Sequence, residues 1–543
     1  MRKRKQDGVM EERRTKHKEQ KKQCPGKVWL VGAGPGAADL LTVKARRLFE
    51  DCDCIVYDRL VGEEVLSQIP PGRELIHVGK VTGHHSIPQE EINGILVREA
   101  RLGKRVVRLK GGDPFLFGRG GEEAEVLEKE GIAFEIVPGI SSAFAVPAYQ
   151  GIPVTHRDYV SGVHIFTGHG KECKDGKDSR PVPYKALVQA GGTLVFLMGV
   201  HALEELMEGL CLAGIDKDMP AAILQQGTTA GQKKVVATVA DLAAKAKKEK
   251  IKPPSVIIVG EVCRLHETLS WYEKLPLAGE KILVTRPLER GKELQEELRA
   301  LGAEVWSVPA IETLPAEDKA LRLLVETELA RLNMYQVLVF TSPYGVECFF
   351  SLLLKSGRDV RDTAHMKFAV IGQGTADALL KKGIRADYMP EQYDSISLGR
   401  LLAEKLMAGT RILLARSAIG SEELLQELKK NPGLSCTDLA IYTTKFALEN
   451  TALMQSLMRV KQDERLPKIV FTSSSTVEGF CRMLGCAYPY EMLYAVCIGE
   501  KTRQAAARMG MHTSVAQNAT VSDLICCFRQ KSWDAYSSVV TKK

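Results

Sequence analysis

Short apolar runs recur along the chain, each closed by glycine or a polar residue. They are KVWLVG (27–32), CIVYD (54–58), RVVRLKG (105–111), VHIFTG (163–168), TLVFLMG (193–199) and SVIIVG (255–260) in the first half. KILVTR (281–286), VLVFTS (337–342), KFAVIG (367–372), RILLAR (411–416), KIVFTS (468–473) and AVCIG (495–499) follow in the second. Runs this short and this continuously apolar fit strands covered on both faces, and most of the intervals between them carry helical periodicity. The pattern predicts an α/β protein with largely parallel sheets.

The rhythm breaks at HETLSWYEKLPLAGEK (266–281), where Pro276 and Gly279 give a hinge-like stretch. Trp271, Tyr272 and Leu275 there predict a linker docked on a surface rather than a loose tether. Beyond it the sequence repeats. VFTSPYGVECF (339–349) matches VFTSSSTVEGF (470–480), IGQGTADALLKKG (371–383) matches IGEKTRQAAARMG (498–510), and KILVTRP (281–287) echoes RILLARS (411–417). Offsets of 131, 127 and 130 residues are too long for a solenoid and predict two similar α/β lobes with a cleft between them. In each lobe a strand ends in Thr-Ser (Thr341-Ser342, Thr472-Ser473) before a helix, with Pro343 suited to a first helical turn. Plain helix capping explains either motif alone; its presence in both lobes points to a ligand with several negative groups.

The charge changes little. The formal net charge is +8, but residues 1–23 hold ten Lys/Arg against four Asp/Glu, leaving 65 basic against 63 acidic residues elsewhere. The excess therefore sits in a tail (1–24) too polar for a core and expected to be disordered, not on a folded nucleic-acid-binding face. No apolar run is long enough for a membrane span or follows the basic start as a secretory signal would, so the expectation is a cytoplasmic protein. The thirteen cysteines form no Cys-x-x-Cys, and no histidine cluster completes a zinc spacing. They read as reduced, small hydrophobes, with no metal site.

The stretch VWLVGAGPGAADLLT (28–42) fits a dinucleotide fingerprint only poorly: Gly32-x-Gly34-x-x-Ala37, with Asp58 closing the next strand. Pro35 removes a backbone donor where a pyrophosphate needs one, and Asp58 lies 26 residues after Gly32, longer than the usual spacing. The companions are VYDRLV (56–61), VGKVTGHHSIPQEEIN (78–93), VVRLKGGDPFLFGRGGEE (106–123), IVPGISSA (136–143), GIPVTHRDY (151–159) and TLVFLMG (193–199). In this order, the run closely resembles the uroporphyrinogen-III C-methyltransferases of the tetrapyrrole methylase family, over residues 27 to about 265. A dehydrogenase is thereby rejected.

The resemblance implies a two-domain methylase fold over 25–265, S-adenosyl-L-methionine as cofactor, and a homodimer through this half. Carried over from the family, the cofactor contacts fall at Pro35, Gly111, Gly112, Asp113, Leu116, Ser141, Ser142, Met198 and Gly227. Asp58 and Lys80 match the proposed proton acceptor and donor, although Asp58 also suits a strand-ending turn. His84 and His85 are substrate contacts or structural. Arg119 and Arg157 suit substrate carboxylates, and a surface ion pair is an equal reading for either.

Residues 281–533 resemble uroporphyrinogen-III synthase, on the duplicated lobes, the VFTS–helix elements, IGEKTRQAAARMG, and IYTT (441–444) leading back to the first lobe. The family pattern implies parallel-sheet lobes at about 281–312 plus 443–533 and 313–442, joined to the methylase through 266–280. Thr341, Ser342, Thr472 and Ser473 are then substrate contacts, and Tyr442 is a general acid, or simply a packed hinge tyrosine. Together the halves imply a bifunctional enzyme. It cyclises hydroxymethylbilane to uroporphyrinogen III with inversion of ring D, then methylates C2 and C7 to give precorrin-2, for sirohaem or cobalamin. The alternative is a methyltransferase carrying a non-catalytic tetrapyrrole-binding lobe pair. The partners expected are small tetrapyrroles, with no nucleic acid and no membrane.

Overall fold

The computed structural model describes residues 26–79, 87–168, 182–315, 319–447, 454, 457, 468–518 and 520–529. The basic tail, Lys80, His84 and His85 lie outside these residues.

Among the described residues there are four five-stranded sheets. The first contains β1 (Lys27–Gly32), β2 (Cys54–Tyr57), β3 (Glu74–His77), β4 (Arg105–Lys110) and β5 (Phe134–Val137). All are parallel, in the order β3-β2-β4-β1-β5. Successive side chains point to opposite faces. Ile55 and Val31 enter one core layer with Val107, while Cys54, Val56, Leu30 and Val106 enter the other. Burial on both sides explains why β1 and β2 read as nearly unbroken apolar runs.

The second sheet departs from the parallel expectation. Its strands are β6 (Val163–Thr167), β7 (Thr193–Leu197), β8 (Pro220–Gln225), β9 (Lys233–Thr238) and β10 (Ser255–Val259), in the order β6-β7-β10-β8-β9. Only β6–β7 is parallel; β10 runs antiparallel to β7 and β8, and β8 pairs antiparallel with β9. The connection 226–232 is too short for a crossover helix, so β8 and β9 form a hairpin.

The chain then builds β11 (Lys281–Val284) and β12 (Glu304–Ser307) before leaving for another sheet. That sheet holds β13 (Ile311–Pro315), β14 (Val337–Phe340), β15 (Lys367–Val370), β16 (Arg411–Ser417) and β17 (Ser435–Phe446). It returns as β18 (Lys468–Phe471), β19 (Tyr494–Cys497) and β20 (His512–Val515) beside β11. The sheet orders are β12-β11-β18-β19-β20 and β13-β17-β16-β14-β15. The sequence repeat thus becomes a repeat of strand order: β11 corresponds to β16, β18 to β14, and β19 to β15. Antiparallel β13 and β17 form the ribbon joining the two lobes, from Ile311–Phe446 to Pro315–Tyr442.

The 266–280 segment is docked, as its aromatic residues suggested. Trp271 donates through Nε1 to the Ala148 carbonyl at 2.9 Å, Tyr272 donates to the Gly302 carbonyl at 2.9 Å, and Leu277 is buried in the first lobe's core. Further contacts join the halves directly. Arg299, on the Leu288–Ala300 helix, meets Glu64 at 2.5 Å; the Ser307 amide donates to Ser67 Oγ at 3.0 Å; and the Ala230 amide donates to Glu304 Oε2 at 2.8 Å.

Burial pushes the Glu64 carboxyl up to about 7, opposed by Arg299 and reinforced by Glu304 and Asp39. A folded pKa above the unfolded value gives a contribution that is complete below the unfolded pKa and is lost as pH rises through 7. Glu64→Gln removes this titration. Between pH 5 and pH 8 the unfolding free energy of the variant is expected to shift by roughly 2 kcal/mol in its favour relative to the parent. Any constant offset from setting Arg299 against a neutral amide does not enter that shift. Parallel stability–pH curves would contradict the assignment.

Candidate active sites

The first site forms where β1 and β4 end side by side. The Gly34 and Gly112 amides exchange hydrogen bonds with each other's carbonyls at 3.2 and 2.7 Å. Such crevices outside the carboxyl ends of strands are the usual ligand sites of α/β sheets. The approach requires glycine: a Cβ on Gly32 would lie 2.5 Å from the Gly139 backbone, and Gly112 sits at φ +68°. Asp113 fixes the third loop, accepting from the Gly139 amide at 2.9 Å and the Phe115 amide at 2.8 Å. Ser141 caps the Ser142–Tyr149 helix through the Ala143 amide, and the Ser142 amide lies beside Gly112.

The second sheet closes this crevice. A Cβ on Gly227 would meet Val146 of that helix at 2.4 Å, and Leu116 packs against the apolar cluster that contains Val146. Met198 follows at the end of β7, half exposed. Across the crevice the Ala37 amide donates to Thr228 Oγ1 at 3.2 Å, next to Pro35-Gly36. On the second sheet's side of the site Met198 (+58°), Gln226 (+46°) and Thr228 (+70°) sit at positive φ. For β-branched Thr228 this conformation is costly and held by its surroundings.

Asp58 ends β2 and starts a turn that runs between two glycine loops. A Cβ on Gly111 would strike Leu60 at 2.7 Å, and one on Gly62 would meet the Gly36 carbonyl at 3.0 Å. Asp58 accepts from the Leu60 amide at 3.0 Å, the strand-ending role, and from Arg108 Nη2 at 3.2 Å. Arg108 belongs to a buried network that includes Glu123, reached at 3.1 Å, and Lys110, 2.8 Å from the same carboxylate oxygen. Burial, then the Arg108 charge, lower the Lys110 pKa against the pull of Glu123. Arg119 pairs with Glu122 at the surface, and Arg157 is exposed. Neither is brought to Asp58 by a hydrogen bond or ion pair.

The second site lies between the lobes. Ser342 caps the Pro343–Lys355 helix through the Gly345 amide, and Ser473 caps the Ser474–Leu484 helix in a box with Thr476. Thr341 and Thr472 are half-buried just before these caps. Tyr442, at the end of the β13–β17 ribbon, hydrogen-bonds Ser342 Oγ at 2.8 Å and meets Tyr344 edge-on, ring centroids 4.8 Å apart. Burial raises its pKa, partly offset by Ser342 and by nearby Arg290. Arg290 reaches over from the first lobe, its guanidinium 3.9 Å from the Tyr344 ring centre and hydrogen-bonded to Thr313. Lys501 and Glu423 bridge the lobes at 3.5 Å.

Two family models match the chain: Tetrapyrrole (Corrin/Porphyrin) Methylases over residues 27–243, and Uroporphyrinogen-III synthase HemD over residues 292–526. The porphyrin biosynthesis protein HemD of Ruminiclostridium josui is 43% identical over 92% of this chain and 97% of its own. The chain belongs to that family. It joins a uroporphyrinogen-III C-methyltransferase to a uroporphyrinogen-III synthase and is a bifunctional enzyme of tetrapyrrole biosynthesis. The methyltransferase half is 50% identical to an S-adenosyl-L-methionine-dependent uroporphyrinogen III methyltransferase of Methanosarcina barkeri, covering 45% of this chain and 94% of that protein. A uroporphyrin-III C-methyl transferase of Thermus thermophilus, solved with S-adenyl homocysteine, is 38% identical over 44% of this chain and 99% of its own, with a TM-score of 0.38.

Several polar groups of this HemD-family chain are not among the residues that the motifs single out. Arg108 and Lys110 announce themselves as charges inside an apolar strand, and Glu123 as one of two glutamates after a glycine pair. Arg290 gives no such signal, because a basic residue on a helix normally means solvent. Burial lowers the pKa of both Arg290 and its neighbour Arg286. Among the described residues no carboxylate stands at ion-pair distance from either; Glu293 and Glu347 act only from farther off.

Proposed function

We propose that the first site binds S-adenosyl-L-methionine and transfers two methyl groups to uroporphyrinogen III, giving precorrin-2, for sirohaem or cobalamin. The observation carrying this reading is the 58–62 turn seated between the Gly34–Gly36 and Gly111–Gly112 loops, with a carboxylate at its start. S-adenosyl-L-methionine supplies the electrophilic methyl; the protein's work is to align carbon and methyl and to exclude water. The backbone at 34–36, 111–112, 141–142 and 227 forms the cradle. Asp58, oriented by Arg108, takes the proton that the macrocycle loses when each new C–C bond forms. Lys80 is the proposed donor. His84, His85, Arg119 and Arg157 are proposed to meet substrate.

In the cleft between the lobes, hydroxymethylbilane closes to uroporphyrinogen III with ring D inverted. Tyr442, kept protonated by burial, donates to the departing hydroxyl. Arg286 and Arg290 receive substrate carboxylates, which relieve the mutual repulsion of two half-buried guanidinium groups. The helix ends behind Thr341-Ser342 and Thr472-Ser473 hold others.

Supplying uroporphyrinogen III and S-adenosyl-L-methionine tests the first site. Two methyl groups per macrocycle are expected in the product by mass spectrometry. An unmodified macrocycle, with cofactor binding intact by calorimetry, would overturn the assignment of substrate.

A further inference from the structure

The contacts between the halves do not fall on an indifferent surface. Two arms run from the synthase to one point of the methyltransferase. In the first, Arg299 is held by Gln295 Oε1 and the Val305 carbonyl, each at 3.3 Å, and reaches Glu64 at 2.5 Å. Glu64 lies two residues after Gly62, which rests against the Gly36 carbonyl. In the second, Trp306 Nε1 donates to Glu304 Oε1 at 2.6 Å, and Glu304 Oε2 accepts from the Ala230 amide at 2.8 Å. Ala230 belongs to the turn whose Thr228 takes the Ala37 amide and whose Thr229 methyl crowds Gly36. Both arms therefore end on segments that border Gly36-Ala37, the 62–64 segment through Gly62 and the 228–230 turn through Thr228 and Thr229. The 226–228 backbone they brace includes two residues at positive φ, a conformation that persists only where neighbours impose it.

We propose that the docked synthase lobe is a structural effector of the methyltransferase: Glu304 and Arg299 are positioning residues that hold both sides of the Gly36 loop in its cofactor-binding shape. The proposal rests on the cofactor reading given above. Neither residue touches the proposed reactants, and both act through backbone. The lost contact is an ordinary hydrogen bond or ion pair, so the coupling expected is of the modest size usual between sites. Linkage makes it reciprocal: cofactor binding tightens the junction by the same factor.

The full chain carrying Glu304→Ala or Arg299→Ala is titrated with S-adenosylhomocysteine, and its methyl-transfer rate is measured against S-adenosyl-L-methionine concentration. A rise of about 3- to 10-fold in Kd and KM is expected, with kcat at saturation unchanged. Glu304→Gln, which keeps one oxygen for the Ala230 amide at the expense of the Trp306 contact, is expected to restore part of the affinity. A merely structural role would lower the synthase rate as well, and that rate is expected to stay within about twofold. The second readout needs no variant. In the unmodified protein, S-adenosylhomocysteine is expected to slow hydrogen exchange in the peptide containing Ser307, whose amide crosses the junction to Ser67. Unchanged Kd and KM in both alanine variants, or no slowing at Ser307, overturns the proposal. Failure of the unmodified protein to bind S-adenosylhomocysteine overturns the cofactor reading itself.

Discussion

Asp58→Asn is expected to lower methyl transfer by about 10²-fold or more, the usual worth of a positioned general base. Asparagine keeps one oxygen to accept from the Leu60 amide, so the turn between the glycine loops should survive, while its amide nitrogen can no longer accept from Arg108. Arg108 also retains Glu123, so the exchange does not orphan a buried guanidinium. Affinity for S-adenosylhomocysteine should change by less than about threefold, since the cofactor cradle is backbone. Calorimetry and steady-state rates on the same preparation decide the point. A full rate in the variant would remove Asp58 from the chemistry and leave it the strand-ending role it also fills.

Tyr442→Phe is expected to slow uroporphyrinogen III formation by about 10²-fold, because the phenol is the proposed donor to the leaving hydroxyl. Phenylalanine preserves the edge-on packing against Tyr344 and loses only the contact with Ser342, which still caps its helix. Arg290→Ala should act differently. Removing a charged hydrogen-bond partner of a substrate carboxylate costs about 1.5–3 kcal/mol, so KM should rise by roughly 10-fold or more. Among the described residues no ion-pair partner is abandoned, so the fold is expected to persist. If Arg290→Ala leaves KM unchanged, the guanidinium serves only to hold Tyr344.

The strands were legible where burial on both faces makes them continuous apolar runs, as in β1, β11, β14 and β18. The repeat in the second half was legible as well, and it reappears as matching strand order. The β8–β9 hairpin was not, because β9 (KKVVAT) mixes charge with apolar residues and its partner ends in a Gln-Gln-Gly-Thr-Thr turn. The glycine loops could be read because close backbone approach admits no other residue, so the requirement is written in residue identity. The polar side chains around them could not. Arg299 is 235 positions from Glu64, and both look like ordinary helix-surface charges until the fold buries them together. Arg290 is the same case: its meaning comes from Tyr344 and Thr313 on the other lobe, which no local pattern announces.

The measurement that tests the account most directly gives the single purified chain hydroxymethylbilane and S-adenosyl-L-methionine, with nothing else, and follows the macrocycles formed. The account predicts that both sites act in turn and that the type III isomer is carried on to the dimethylated product, precorrin-2. Accumulation of an unmethylated macrocycle in which ring D is not inverted would contradict it by showing that the lobed half does not direct the cyclisation.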